Sequence, residues 1–361
     1  VGGRTFGGDR MFKKERSLVG LDIGSHCVKA VELTQFGSET VLTAYGQNEI
    51  ANEAARADAI IDLIQGRSFR TRRTCTAVSG KSVIVRYLTM VQMSDDDLKN
   101  AIKFEADKYI PFDVEEVVLD AQRLADAPGA KGTKGAGGEN DMRVLLVAVK
   151  RSLIEEHVQL VQSIGLQPEI IDVDAFALGN AFEVRGTLGA AGEQADRAVA
   201  LIDVGSSKTN INVVRGGTSY FTREIYLGGD DFTSAISKRM SCEVPQAEAM
   251  KRDPGENAEA MRDAVAPSID DLGNEIHLSF DYFENQFDRP VDDVLLSGGG
   301  ARLAQVEETF EKIFEKRTRR WDPTEDLKID ESAVDVEALR ANAGQLAVAV
   351  GLASRIRKDR R

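Results

Sequence analysis

Cysteine is scarce in this chain: Cys27, Cys75 and Cys242 are the three in 361 residues, widely spaced and without a C-x-x-C pair. That scarcity excludes a disulfide framework, gives a structural zinc site nothing to build on, and fits a reducing cytoplasm. No apolar run approaches the roughly 18 residues a membrane helix needs, and no secretory leader is visible, so the expectation is a soluble chain that meets a membrane only through a partner. Positive charge is also short. With a net charge of -13 and a pI near 4.9, the chain is unsuited to broad nucleic-acid binding, although a local basic groove stays open. Neither the Gly-x-Gly-x-x-Gly dinucleotide pattern nor the Gly-x4-Gly-Lys-Ser/Thr loop occurs, which removes the two commonest nucleotide folds.

What is present is a repeat. Leu18-Val-Gly-Leu-Asp-Ile-Gly-Ser-His-Cys-Val-Lys-Ala-Val is nearly copied by Leu201-Ile-Asp-Val-Gly-Ser-Ser-Lys-Thr-Asn-Ile-Asn-Val. Each copy is an apolar run, Asp, an apolar residue, Gly and Ser, then a second β-rich run, which predicts a hairpin with a tight turn. One such turn says little. Two, a domain's length apart in a chain long enough for two domains, point to two similar halves that face each other.

The remaining pattern fits around that repeat. Residues 1–10 have no periodicity, precede Met11, and are set aside; Met11–Arg16, short and basic with one aromatic, reads as a frayed terminus, with a weak anchor as the alternative. Strands are predicted at 18–23, 27–34 and 39–46, then a helix over 51–65 with Ile60, Leu63 and Ile64 toward the sheet, then strands at 74–79 and 83–88. Ser94 caps a helix with Asp95, Asp96 and Asp97 in its first turn and Pro111 at its end. Strands at 117–124 and 142–149 flank a glycine-rich stretch, 127–140, too poor in apolar residues to fold. Ser152 and Glu155 predict a capping box for the next helix, with His157 a boundary residue beside its apolar stripe. Residues from about 88 to 165 therefore read as a small α/β subdomain inserted into the first half.

A strand at 169–173, a helix over 174–182 and a linker at 185–197 close that half. The second half has strands at 199–204, 209–214 and 218–225, and a Gly228-Gly229-Asp230-Asp231 turn into a helix that runs to about 240. A short helix lies between Pro245 and Pro254, and a long helical stretch, 256–287, is expected to kink at Pro267 or restart near Ser268. The strand at 291–297 ends in Gly298-Gly299-Gly300, and the helix over 303–314 ends in the basic cluster Lys312, Lys316, Arg317, Arg319 and Arg320. Favourable charge at a helix C-terminus explains part of that cluster, and a partner surface is the alternative. Trp321 reads as cover for a core edge. The last predicted helix, 339–356, aligns Gly344, Ala347 and Gly351 on one side, where another backbone can approach.

The chemistry follows from the two turns. A strand that ends in Asp-x-Gly-Ser presents several backbone N–H groups together, a nest for phosphate oxygens. If both turns face one cleft, they grip a polyphosphate from opposite sides while Asp22 and Asp203 hold a hard cation, for which Mg2+ suits carboxylates, water and phosphate together. Gly298-Gly299-Gly300 adds a third close backbone approach, suited to a nucleoside.

With these motifs the chain resembles the actin, Hsp70 and sugar-kinase ATPase superfamily, and within it the PilM family of type IV pilus inner-membrane assembly proteins. The first phosphate motif matches Leu21–Ser25, the second Ile202–Asn210 and the adenosine motif Leu295–Gly300, with connecting helices at Asp174–Phe182 and Asn342–Leu352. The closer resemblance rests on Lys99-Asn-Ala-Ile-Lys-Phe-Glu-Ala-Asp-Lys-Tyr-Ile-Pro-Phe112, which is similar to an inserted subdomain shared in position with the division protein FtsA.

The resemblance implies an α/β, two-lobed actin-like ATPase fold with duplicated lobes, 11–197 and 198–361, an FtsA-like insert in the first and a subdomain of about 226–292 in the second. It implies ATP and Mg2+ in the cleft, with Gly24, Ser25, His26 and Lys29 from the first turn, Gly205, Ser206, Ser207, Lys208, Thr209 and Asn210 from the second, and Gly228, Gly229, Gly298, Gly299 and Gly300 around the nucleotide. Asp22 and Asp203 are the metal candidates. Asp174 and Asp172 are the candidates for orienting a hydrolytic water; both serve equally well as capping or surface residues, and ATP would then be a conformational ligand. The partner implied is the N-terminal cytoplasmic peptide of PilN, received beside the insert, where Ile102, Phe104, Tyr109, Ile110 and Phe112 exceed what one short helix needs, though a core would use them too. Cytoplasmic motor ATPases and self-association are further partners to consider, and the location implied is cytoplasmic, peripheral at the inner membrane. A division-type actin homologue and a sugar-kinase-type phosphotransferase are the rival readings; the latter needs an acceptor-binding polar set, and none is evident.

Overall fold

The computed structural model describes residues 16–124, 141–184 and 197–357. The N-terminal extension, the glycine-rich stretch at 127–140 and most of the 185–197 linker lie outside the described residues. Three strands open the chain, β1 (Arg16–Ile23), β2 (Cys27–Phe36) and β3 (Glu39–Glu49), followed by α1 (Arg56–Gln65) and β4 (Arg73–Val78). Then β5 (Val83–Val91), α2 (Asp95–Glu105), β6 (Val117–Arg123) and β7 (Asp141–Lys150) form a separate unit with its own three-stranded sheet, ordered β5-β7-β6. The chain returns through α3 (Arg151–Ser163), β8 (Gln167–Val173) and α4 (Asp174–Val184).

The second half repeats the opening: β9 (Val199–Val204), β10 (Thr209–Arg215) and β11 (Thr218–Ile225) are a meander like β1 to β3. Helices α5 (Gly229–Met240), α6 (Val244–Arg252) and α7 (Ala258–Phe287) follow, then β12 (Asp293–Ser297), α8 (Ala304–Phe314) and β13 (Thr318–Arg320). The chain crosses back at β14 (Lys328–Ile329), which pairs with β3, and ends in α9 (Val336–Asn342) and α10 (Ala347–Ala353). The two large sheets are ordered β14-β3-β2-β1-β4-β8 and β11-β10-β9-β12-β13. In both, the first hairpin is antiparallel and the second partner of its first strand is parallel, β1 with β4 and β9 with β12.

Each sheet buries both faces. Ile60, Leu63 and Ile64 of α1 and Val161 of α3 cover one face of the first sheet, and Phe232, Ile236, Ile269, Ile276 and Phe280 cover the outer face of the second. Between the sheets lies a shared core built on α4 and α10, into which Leu18, Leu33, Leu201 and Leu295 point. Gly351 is what allows these two helices to touch: a Cβ there would lie 1.8 Å from the Ala177 carbonyl oxygen. Trp321 is buried in this same core, edge-on to Phe182 at 6.2 Å.

Local expectations fail where long-range contacts decide. The Ser152–Glu155 box does not form: α3 starts at Arg151 with Lys150 as an uncapped N-cap, because the Lys150 N–H is tied to the Ser82 carbonyl at 3.0 Å and β7 runs directly into the helix. Helix α7 does not restart near Ser268 but continues through Pro267, since the proline lies on its exposed side and only one backbone bond is lost there. The single helix expected at 339–356 is α9, a 3-10 turn at Ala343–Gln345, α10 and a second 3-10 turn. Of the basic cluster, Lys312 pairs with Glu308, Lys316 with Glu284 and Arg320 with Glu307, so much of its charge is met within the chain.

Candidate nucleotide site

The two hairpins end in turns of the same construction. Asp22 stands opposite Lys29, and Asp203 opposite Asn210, at equal spacing in each copy. Gly24 N–H donates to the Cys27 carbonyl at 3.1 Å, and Gly205 N–H donates to the Lys208 carbonyl at 2.9 Å. In both turns a Cβ on the glycine would meet that same carbonyl oxygen at 2.8 Å, which is why glycine stands there. The turns face each other in space: Ser25 Oγ is 2.6 Å from Ser207 Oγ and His26 Nδ1 is 3.1 Å from Ser206 Oγ.

Beneath the turns lies a charged floor. Lys29 Nζ donates to Asp22 Oδ2 at 2.8 Å, and Ser297 Oγ at the end of β12 donates to Asp203 Oδ1 at 2.9 Å. Burial pushes the Asp203 carboxyl up to about 6, aided by the nearby Asp22 charge and opposed by Lys29. Burial works against the Lys29 ammonium, but Asp22 outweighs it and holds the amine charged well above its ordinary range. Two buried acceptor oxygens here have no hydrogen-bond partner, Asn210 Oδ1 and Gln47 Oε1; each belongs to a strand residue directly opposite a floor residue, Asp203 and Lys29 respectively.

The other expected residues divide into those that face the turns and those that support them. Lys208 Nζ donates to Asp174 Oδ2 at 2.9 Å and Glu224 Oε1 at 3.3 Å, so Asp174, at the start of α4, is drawn to the second turn. Asp172 is turned to other partners, Asn180 Nδ2 at 3.2 Å and Arg355 Nε at 3.4 Å. Gly228 and Gly229 buttress the second turn: Gly229 N–H and Asp230 N–H donate to the Gly205 and Ser206 carbonyls at 2.9 and 2.8 Å. Thr209 is buried, its hydroxyl donating to the Leu227 carbonyl at 2.8 Å. Gly298, at φ +89°, and Gly300 pack on Val204, where a Cβ would come within 2.3 and 2.5 Å of its atoms, whereas Gly299 is open, with Gln345 Oε1 3.6 Å from where its Cβ would lie. Glu224 and Gln47 are not expected from sequence, because each reaches the site from a strand distant in the chain and carries no local motif; Ser297 lies within the Leu295–Gly300 motif and Gln345 within the expected connecting helix, but no local signal marks either side chain as a site group.

A cavity of about 470 Å³ lies beside this cleft, between β3, Arg67–Ser68 and the 333–342 segment, and Gln47 and Asn342 line it. It touches neither turn. Among the described residues no cluster of three or more His, Cys, Asp or Glu side chains forms a ready-made metal cage, and no helix is long and apolar enough to cross a membrane.

Two lobes built on the same meander, packed through a pair of crossing helices and meeting at two mirrored Asp-x-Gly-Ser turns, define a protein of the actin-like ATPase fold. The chain belongs to the type IV pilus assembly protein PilM family, whose model matches residues 20–357. A solved PilM-PilN type IV pilus biogenesis complex contains a chain 28% identical to this one, with a TM-score of 0.80 over 94% of this chain and 98% of that one. MreB5 of Spiroplasma citri, solved with ADP bound, shares the fold at 12% identity and a TM-score of 0.51, over 96% and 99% of the two chains. The cell division protein FtsA of Streptococcus pneumoniae serotype 2 is 23% identical, over 92% of this chain and 81% of that protein.

Proposed function

We propose that this chain is a nucleotide-gated adaptor of the type IV pilus inner-membrane assembly platform, binding ATP with Mg2+ between its two turns and the N-terminal peptide of a PilN-type membrane partner beside its inserted subdomain. The observation that carries the nucleotide reading is the pair of mirrored turns over a floor of Asp22, Lys29 and Asp203. Their backbone N–H groups and hydroxyls suit phosphate oxygens, and the Ser25–Ser207 contact would part to admit them. The donor set also suits a hydrated Mg2+: Asp22 and Asp203 are hard anionic groups that would hold it, and the orphaned Asn210 Oδ1 would be available to its hydration shell. When bound, the ion neutralises phosphate charge. The protein's own part is to orient the phosphates with the turn N–H groups and to keep Lys29 and Lys208 charged through Asp22 and Asp174. Asp174 is the better placed of the two aspartates to orient a water, with turnover slow or absent.

The lobes are read as 11–197 with the insert and 198–361 with the 226–292 subdomain. The partner reading is supported by the likeness to a chain of the PilM-PilN complex and by the insert itself. Ile102 and Ile110 are buried in its core, Tyr109 and Phe112 are half-buried against it, and Phe104 is left 81% exposed on α2, near enough the surface to meet an apolar peptide side chain. Such a partner would hold the chain at the inner membrane's cytoplasmic face and within reach of the motor ATPases. Calorimetric titration with MgATP and with the partner's N-terminal peptide tests this directly. Micromolar to submillimolar binding of both is expected, and absence of MgATP binding by the intact chain would sink the cleft assignment.

A further inference from the structure

The second turn is connected to the inserted subdomain through one side chain. Glu224, near the end of β11, accepts from Lys208 Nζ at 3.3 Å on one side and from the backbone N–H of Gly80 on the other, at 3.0 and 2.9 Å to its two oxygens. Tyr226 Oη donates to the same carboxylate at 3.2 Å. Gly80 lies between β4 and β5, at the first of the two chain crossings into the three-stranded unit, and its φ of +94° suits a glycine. The return crossing is tied to the same place, since Lys150 N–H donates to the Ser82 carbonyl at 3.0 Å. Both crossings into the insert therefore meet within two residues of the Glu224 contact.

We propose that Glu224 is a positioning residue that couples the nucleotide cleft to the hinge of the inserted subdomain, its carboxylate shared between Lys208 of the second turn and the Gly80 N–H. This deepens the nucleotide-gated reading and rests on it. One ammonium now serves two carboxylates, Asp174 and Glu224, in a largely buried setting. A phosphate arriving at the turn is a third anion for the same ammonium. Lys208 drawn toward it weakens its hold on Glu224, and the added negative charge repels that carboxylate. Glu224 then yields its place against Gly80, and the hinge loses the bond that fixes it to the second lobe. Other contacts between insert and second lobe, such as Tyr87 Oη with Ser219 Oγ at 3.0 Å and the Arg143 guanidinium over Phe287 at 4.4 Å, touch neither Lys208 nor the turn, so they hold the insert without sensing the cleft. By linkage, whatever binds the insert and prefers one hinge state changes ATP affinity by the same factor as ATP changes its own.

The test is amide hydrogen exchange over 79–83 in the full chain, with and without saturating MgATP, alongside calorimetric measurement of MgATP binding. In the native protein MgATP should speed exchange there by about threefold or more. In Glu224→Gln, which keeps the shape and an acceptor for Gly80 but not the charge, the MgATP effect should vanish while MgATP still binds. Tyr87→Phe, which removes a contact outside the path, should leave the effect intact. Unchanged or slower exchange in the native chain with MgATP bound, or equal acceleration in Glu224→Gln, overturns the coupling and leaves the cleft assignment standing. Failure of the native chain to bind MgATP is seen separately in the calorimetry and removes both.

Discussion

Ser25 Oγ meets Ser207 Oγ at 2.6 Å, and the contact is reciprocated one position over by His26 Nδ1 and Ser206 Oγ at 3.1 Å. Since Ser206 and Ser207 occupy in the second turn the places of Ser25 and His26 in the first, each turn touches its copy through exchanged positions, as across a local two-fold axis. A ligand on that axis is gripped alike from both sides, which suits a phosphate chain better than an asymmetric acceptor.

The second turn is the more easily disturbed without touching its ligand-facing atoms. A Cβ at Gly228 would lie 2.6 and 2.7 Å from the Ser206 and Gly205 carbonyl oxygens, so Gly228→Ala must push the turn away from α5. MgATP affinity measured by calorimetry is expected to fall by about tenfold, or about 1.4 kcal/mol, with the fold retained by circular dichroism.

The two aspartates near α4 should separate cleanly. Asp174→Asn weakens the charge-assisted bond that holds Lys208, and MgATP affinity is expected to drop by about five- to tenfold. Asp172→Asn loosens its ties to Asn180 and Arg355 instead; it should cost about 1 to 2 kcal/mol in urea denaturation and leave MgATP affinity within about twofold.

Helix crossing gives a pair of opposite outcomes. Gly351→Ala places a methyl 1.8 Å from the Ala177 carbonyl oxygen and should destabilise by about 3 kcal/mol in urea denaturation, because α4 and α10 must separate. Gly344→Ala meets nothing closer than the Trp321 carbonyl oxygen at 3.7 Å and should fall within about 0.5 kcal/mol of the native chain.

Asp203 makes stability depend on pH. Its carboxyl titrates near 6 when folded, against 3.8 as its ordinary value, so the folded state holds the proton more tightly than the unfolded one. The contribution of Asp203 to stability is therefore greatest below its ordinary value and declines as pH rises through about 4 to 6, by about 2 to 3 kcal/mol in all. Asp203→Asn, which cannot ionise, should flatten the part of that decline seen in urea midpoints between pH 5 and 8, and should be the more stable chain at pH 7. An unaltered slope in the variant would assign the decline to other groups.

Much of the fold was legible beforehand, for reasons visible in particular residues. The β-rich runs on either side of Asp22 and Asp203 alternate and turn as hairpins must, and they formed at those positions. Ser94, with acidic residues behind it, caps α2 as expected, accepting from the Asp97 N–H at 3.2 Å. The aligned Gly344 and Gly351 announced a close crossing, and Gly351 makes one. Ser152, by contrast, has the right spacing for a cap and does not serve as one, because the bond from Lys150 to Ser82 had already set where the helix begins.

The chain's own pattern determined that there are two similar halves, that each carries an Asp-x-Gly-Ser turn, and that an α/β unit interrupts the first, because hydrophobic period and turn chemistry are local properties. Only the tertiary structure decided which groups stand around those turns. Lys208 bridging Asp174 and Glu224, Ser297 on Asp203, and the Gly80 N–H on Glu224 join residues 34, 94 and 144 positions apart at the farthest link of each. Nothing in the local spacing of charges foretells such pairings, since each depends on which strand ends the packing of α4 against α10 brings together.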